Sequence, residues 1–146
     1  MEKTADEIIN ELGRSSERWG LSAVLGQVWG TLYFKGEMTQ EKLKNELGIG
    51  LSSISQSIKV LENLGFISPF KKEGRKKVYS ADLSPLLLGK ILEKLITFEL
   101  RPMISLLQSR KEQAESKNLK DKINTLQKNM EEFEKALSLF MKLKTR

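Results

Sequence analysis

The spacing of hydrophobic and polar positions predicts two helices at the start of the chain, over residues 3–19 and 21–34. In each of them apolar residues recur at intervals of three and four, which places them on one side of a helix. The second helix carries Gly26 and Gly30, although a glycine in a helix interior costs about 1 kcal/mol relative to alanine. We therefore expect a neighbouring helix to approach closely at these two glycines.

A short helix and a longer helix follow in close succession. The short one begins after Thr39, a good N-cap residue, and ends at Gly48. The longer one runs from Leu51 to Leu64 and has an apolar face opposite a polar face. The apolar face is formed by Leu51, Ile54, Ile58 and Leu61. The polar face is formed by Ser52, Gln56, Lys59 and Asn63, flanked by Ser53, Ser55 and Ser57.

Two β-prone segments after Gly65, residues 66–70 and 77–80, predict a hairpin with Gly74 in its turn. Pro69 has no backbone N–H, so we expect it where the strand ladder needs no donor. Helix, short helix, tight turn, helix and hairpin, in this order, predict a winged helix-turn-helix.

The rest of the chain is predicted to be helical. Ser84 and Pro85 are suited to the start of a long apolar helix, which Pro102 should kink or interrupt. The last helix has an apolar seam with alternating intervals of four and three, a heptad pattern. The seam is formed by Leu119, Ile123, Leu126, Met130, Phe133, Leu137 and Phe140. We expect it to build a homodimer interface together with Ile8 and Leu12; the alternative is packing within the same chain.

These elements predict a mainly α fold with a small β-hairpin wing. Residues 1–20 form an N-terminal helix that contributes to dimerisation, residues 21–83 the winged helix-turn-helix DNA-binding domain, and residues 84–146 a helical dimerisation region.

The amino-acid composition limits which catalytic and metal-binding sites the chain can form. The 146 residues include neither histidine nor cysteine, which excludes zinc fingers, Cys or His nucleophiles and Ser-His-Asp triads. With no nucleotide-binding loop or metal cluster either, we expect no enzyme, no catalytic residue, no cofactor and no metal. No apolar run is long enough to span a membrane and the start lacks an apolar signal region, so we expect a cytoplasmic protein without membrane contact.

The charge distribution favours a polyanionic partner. The chain has 25 Lys and Arg residues against 19 Asp and Glu residues, a net charge of +6. Its densest positive segment is the hairpin, where five cations stand against Glu73 alone over residues 71–77. These cations are Lys71, Lys72, Arg75, Lys76 and Lys77.

Together, the polar face and the basic hairpin indicate binding to double-stranded DNA. Short side chains can enter the major groove and hydrogen-bond base edges or phosphates. The candidates on the recognition helix are Ser52, Ser53, Ser55, Gln56, Ser57 and Lys59. The hairpin cations would contact phosphates, with Arg75 able to enter a minor groove, and Thr39, Gln40 and Gly50 would contact the backbone at helix starts. The alternatives are a solvated serine face and a solubilising lysine loop.

The segment ELGIGLSSISQSIKVLENLGFI, residues 46–67, resembles the recognition-helix block of MarR-type transcriptional regulators, and in particular the GbsR-like branch. Residues 21–33 resemble the helix that precedes this block, and residues 73–79 resemble the wing. The resemblance covers about residues 20–82. It implies a dimeric regulator that acts as a repressor on pseudo-palindromic operators. It also implies groove-facing roles for Ser52, Ser53, Ser55, Gln56 and Lys59, and a wing-tip role for Arg75.

Two further readings stay open. Trp19, Trp29, Tyr33 and Phe98 could line a pocket for an unidentified small-molecule effector, such as a cation over aromatic faces; packing in the core is the favoured alternative. The second reading is a winged-helix adaptor that binds other proteins within a larger assembly. Such an adaptor would show no salt-dependent binding to duplex DNA.

Overall fold

The computed structural model describes residues 2–144, except for the side chains at positions 2, 85, 86, 143 and 144. The chain divides into two compact units, residues 1–84 and 85–146. The first unit consists of α1 (Glu2–Arg18), α2 (Ala23–Lys35), α3 (Gln40–Leu47), α4 (Leu51–Leu64), β1 (Ile67–Glu73) and β2 (Lys76–Ala81). The second consists of α5 (Pro85–Lys94), a π-helical segment (Leu95–Leu100), α6 (Arg101–Arg110), a 3-10 turn (Lys111–Gln113) and α7 (Lys117–Lys144). The predicted fold class, mainly α with a hairpin wing, is confirmed.

Helices α1 and α2 pack closely at the glycines of α2, as predicted. A Cβ atom on Gly26 would lie 2.1 Å from the carbonyl oxygen of Leu12, and one on Gly30 would lie 2.8 Å from Leu12 Cδ1. The first contact is with backbone, so only glycine permits the approach at residue 26, whereas a Cβ at residue 30 would force the end of the Leu12 side chain to shift. The packing makes α1 part of the first unit.

The core of the first unit lies between α2, α3, α4 and the base of the hairpin. Val28, Leu43 and Ile54 are fully buried in it. Helix α3 is held at both ends: Thr39 Oγ1 accepts a hydrogen bond from the N–H of Lys42 at 3.2 Å, and Gly48 ends the helix with φ +66°. The tight turn after Gly48 then starts α4 on the same core.

The hairpin is fastened to the helices at its base. Met38 and Tyr79 exchange backbone hydrogen bonds of 3.2 and 2.9 Å, and Trp29 Nε1 donates to the carbonyls of Phe66 and Asp82 at 3.2 and 3.3 Å. The strands are antiparallel, and their register shifts between Pro69 and Lys71. Pro69 thus lies beside an irregularity in the ladder, where a missing N–H is tolerated.

The second unit contains the predicted interruption at Pro102. The N–H of Arg101 donates to the carbonyl of Ile96, five residues earlier, so the helix widens to a π-helical turn just before the proline. A proline removes one helical donor and crowds the preceding turn, which accounts for the change at this position. Helix α7 has 28 residues and is therefore about 42 Å long.

Candidate nucleic-acid interface

Helix α4 presents a polar face to solvent because its apolar face is held in the core. Ile54, Ile58 and Leu61 are buried, which fixes the rotation of the helix about its axis. The side chains of Ser52, Ser53, Ser55, Gln56 and Lys59 are exposed. Five of the six residues predicted for the recognition helix are therefore accessible to a partner.

Ser57 is the exception: the prediction placed it among the groove-facing residues, but its side chain is buried in the isolated chain. Only 5% of its surface is exposed. Residue 57 follows the buried Ile54 by three positions, so both lie on the same side of the helix. The prediction for Leu51 differs from the structure in the other direction. It was expected on the buried apolar face, but it is half exposed at the start of α4.

A groove of about 570 Å³ lies where the start of α3, the start of α4 and the wing meet. It is lined by Thr39, Gln40, Glu41, Lys44, Leu51, Arg75, Lys76, Lys77 and Tyr79. The fold thus brings together two of the predicted helix-start residues and three of the predicted wing cations. This concentration of positive charge at a helix N-terminus favours an anion such as phosphate.

Lys71 and Lys72 lie on β1 and are exposed, outside the residues that line this groove. Lys71 Nζ lies 5.4 Å from the ring centroid of Phe70. Lys72 is directly opposite Lys77 in the ladder, so two ammonium groups share one face of the hairpin. Like charges opposite each other destabilise a hairpin, and a bound anion between them would offset that cost.

Ion pairs connect the wing to α3, and sequence reasoning missed them. Lys76 hydrogen-bonds Glu41, and Lys42 Nζ lies 3.7 Å from Glu73 Oε1. The hydrogen bond from Lys76, together with its positive charge, holds the pKa of the Glu41 carboxyl below its ordinary value. The sequence shows Glu41 only as a favourable acidic residue in the first helical turn, because its partner is 35 positions away.

The N-terminus of α4 has no capping side chain. Gly50 is its N-cap residue and provides no side-chain hydrogen bond to the first turn. A Cβ atom built on Gly50 would meet nothing within 4 Å, and its φ of −60° is available to any residue. Neither conformation nor space requires glycine here. Its absence of a side chain leaves the first backbone N–H groups of α4 approachable.

The residues predicted for dimerisation fall into distinct environments. On α7, four residues spaced by seven are between 42% and 49% exposed. They are Leu119, Leu126, Phe133 and Phe140, here called the α7 ridge. The intervening Ile123, Met130 and Leu137 are half-buried within the second unit. On α1, Ile8 is exposed, whereas Leu12 is half-buried against the glycines of α2.

The aromatic residues predicted for an effector pocket are only partly brought together. Trp19 and Trp29 both line an apolar groove of about 340 Å³ in the first unit. Tyr33 lies outside this groove and stacks on Trp29, with ring centroids 5.1 Å apart. Phe98 belongs to the second unit and is exposed. The indole N–H of Trp29 is already used at the base of the hairpin, so this residue serves the packing of the domain.

Within residues 2–144 no helix combines the length and apolar character that a membrane span needs. The same part of the chain holds no group of three or more Asp, Glu, His or Cys side chains placed to bind a metal ion.

Comparison with known proteins gives one curated relative. No protein-family model matches the chain. Over 83 residues, 56% of this chain, the sequence is 26% identical to the HTH-type transcriptional repressor GbsR of Bacillus subtilis (strain 168). The matched part is 46% of that repressor, so the chain spans about half the length of the curated relative it matches. The resemblance to the GbsR-like branch of MarR-type regulators is confirmed.

A solved structure shares the fold. A crystal structure of a transcriptional regulator matches 98% of this chain and 99% of that chain, with a TM-score of 0.73 and 16% sequence identity. A MarR family regulator from Neisseria meningitidis matches 90% of this chain and 94% of that chain, with a TM-score of 0.41 and 18% identity.

Proposed function

We propose that this chain, similar in sequence to a GbsR repressor, is a transcriptional repressor that binds double-stranded DNA as a homodimer. In the proposed complex the polar face of α4 lies in the major groove, where Gln56 and the exposed serines read base edges. The wing contacts the flanking phosphates. The protein needs neither cofactor nor metal for this role, and the role places it in the cytoplasm with the DNA.

The observation that carries the proposal is the convergence of charge and polar surface on one side of the first unit. Arg75, Lys76 and Lys77 line the same groove as the start of α3 and the first residue of α4. Phosphate contacts from such cations supply most of the affinity of DNA-binding proteins. The adjacent exposed face of α4 supplies side chains that can distinguish bases.

The α7 ridge supports the homodimer. Its four apolar residues remain about half exposed in the isolated chain, and they repeat every seven residues as in a coiled coil. A homodimer carries two α4 helices, and helix-turn-helix dimers bind two half-sites one turn of DNA apart, about 34 Å. That arrangement would require a pseudo-palindromic operator.

The wing is tested by removing its charge. Arg75→Ala, and separately Lys71→Ala with Lys72→Ala, should weaken binding to every duplex. Each lost phosphate contact should flatten the plot of log affinity against log salt concentration by about 0.9. Fluorescence anisotropy with a labelled duplex between 50 and 200 mM salt, about the range over which phosphate contacts are resolved, measures both quantities.

The matched control for the double variant is Lys128→Ala with Lys135→Ala, which removes the same charge from exposed positions of α7. Binding with an unchanged salt slope in the wing variants would remove the wing from the interface. Absence of any salt-dependent binding by the unmodified protein would favour the adaptor function.

Gln56→Ala should change sequence preference more than overall affinity, because a base contact discriminates by about 1–3 kcal/mol at one position. Selection of bound fragments from genomic DNA, carried out with both proteins, measures the preference. The buried Ser57 provides the control, since Ser57→Ala on the same helix should leave the preference unchanged. A uniform loss of affinity across sequences would instead make Gln56 a phosphate contact.

A further inference from the structure

A carboxylate lies inside the positively charged groove. Glu41 lines it together with Lys44, Arg75, Lys76 and Lys77. Its Oε2 atom accepts a hydrogen bond from Lys76 Nζ, and both side chains are more than half exposed. An acidic residue in the first turn of α3 is favourable for the helix dipole, but the same position is where a phosphate would approach.

The contact changes what Lys76 can offer to DNA. An exposed lysine without a partner gains a phosphate and releases a counterion when DNA binds. Lys76 must first give up Glu41, so it exchanges one anion for another. The exchange also leaves the carboxylate of Glu41 facing the phosphate that has replaced it, and like charges at close range repel.

The competition persists at neutral pH. The hydrogen bond from Lys76 lowers the pKa of Glu41, so the carboxylate is charged throughout the neutral range. Only a competing anion, or loss of the carboxylate, frees the lysine.

We propose that Glu41 is an electrostatic brake on DNA binding: it occupies Lys76 in the free protein and lowers the affinity for duplexes of any sequence. This inference rests on the proposed function. It assigns to Glu41 a role that opposes binding, whereas every other charged residue of the groove favours it. The brake acts on phosphate contacts and leaves base reading by α4 untouched.

The test is a double-mutant cycle on Glu41 and Lys76, with a labelled random-sequence duplex as the probe. Glu41→Gln keeps the size of the side chain and should tighten binding about fivefold at moderate salt. It should also steepen the salt slope by about 0.9, the value for one further phosphate contact. Lys76→Met alone should weaken binding, because it leaves the Glu41 carboxylate unpaired in the groove, where it repels phosphate.

The double variant Glu41→Gln with Lys76→Met should lose the gain and return the salt slope to that of the unmodified protein. Glu73→Gln is the matched control. Glu73 is the wing carboxylate that pairs with Lys42 and is not among the residues that line the groove, so its removal tests whether loss of a carboxylate outside the groove has the same effect. Circular dichroism of each variant verifies the fold.

The outcomes separate the two ideas. If Glu41→Gln binds no more tightly than the unmodified protein, if the double variant keeps the gain, or if Glu73→Gln gives an equal gain, the brake is wrong while the DNA-binding function stands. If the unmodified protein binds no duplex in a salt-dependent way, both the proposed function and the brake are wrong.

Discussion

The two units of the chain treat their apolar residues differently. The first unit encloses a contiguous cluster that includes Val28, Leu43, Ile54 and Ile58, drawn from three helices and completed by the hairpin base. In the second unit the buried apolar residues, among the side chains described, are Leu87, Ile96 and Leu100. The first unit therefore builds a complete hydrophobic core from its own residues.

The second unit buries few of its apolar side chains and leaves many of them exposed. All four residues of the α7 ridge and several residues of the π-helical segment and α6 are exposed. Exposed apolar side chains in such number make the second unit a candidate interaction surface. In the proposed complex, the unit that binds DNA has a core of its own, whereas the unit that forms the dimer leaves apolar side chains exposed for its partner.

The largest effect is expected from charging the α7 ridge. Leu126→Lys with Phe133→Lys places ammonium groups on the surface that the homodimer would bury. Loss of two buried apolar side chains costs about 3–6 kcal/mol, so sedimentation should show a monomer. The thermal transition of the first unit should persist, because its core lies elsewhere.

The matched control is Glu132→Lys, at an exposed position of α7 outside the ridge. It introduces a comparable change of charge and should leave the dimer intact. A double ridge variant that sediments as the unmodified protein does would show that the ridge is not the interface.

The next effect is a change in folding stability when a helical glycine of each unit is replaced by alanine. Gly26→Ala should destabilise the first unit by about 1–3 kcal/mol, because its Cβ would collide with the backbone of Leu12. Gly89→Ala in α5 meets nothing within 4 Å and should stabilise the second unit by about 0.4–1 kcal/mol. Chemical denaturation followed by circular dichroism measures both changes. A destabilising Gly89→Ala would indicate that another chain packs closely against α5.

A smaller loss of stability than that of Gly26→Ala is expected at the ion pairs that join α1, α2 and α3. Lys35 Nζ lies 2.7 Å from Asp6 Oδ1 and 2.6 Å from Glu46 Oε1. The hydrogen bond to Asp6, followed by that to Glu46, raises the pKa of Lys35 above its ordinary value. Lys35→Met should cost about 1 kcal/mol of folding stability, since both carboxylates are partly solvated.

The pH dependence follows from the direction of that shift. A lysine with a raised pKa in the folded state contributes its full stabilisation below the ordinary lysine value, about 10.4. The contribution is lost as the pH rises beyond that value. The difference in unfolding free energy between Lys35→Met and the unmodified protein should thus be constant from pH 6 to 9, a range about one unit or more below the ordinary lysine pKa. Lys3→Met, at an exposed position of α1, should show no comparable loss.

Much of the fold could be predicted from the sequence, because helix ends, close helix contacts and helix interruptions are encoded by residues that are near one another in the chain. The close approach at Gly26 and Gly30, the ends of α3 at Thr39 and Gly48, and the interruption at Pro102 each follow from the chemistry of one or two residues. The order of elements then gave the winged helix-turn-helix.

The candidate site could be predicted only in outline. Ser57 lies at the border between the two faces of α4, where a helical wheel cannot decide burial without the neighbouring strands and helices. The pairing of Glu41 with Lys76 joins distant segments, and no local spacing encodes it. Pairing across the fold decides how many of the wing cations are available to a partner.

The two tryptophans offer separate optical reporters. Trp19 is 83% exposed, while Trp29 is partly buried and its indole N–H holds together the two open ends of the hairpin. A Trp19→Phe variant would leave Trp29 as the sole indole emitter. Any loosening of the wing from the helices would then be read directly as a red shift and increased quenching of its fluorescence.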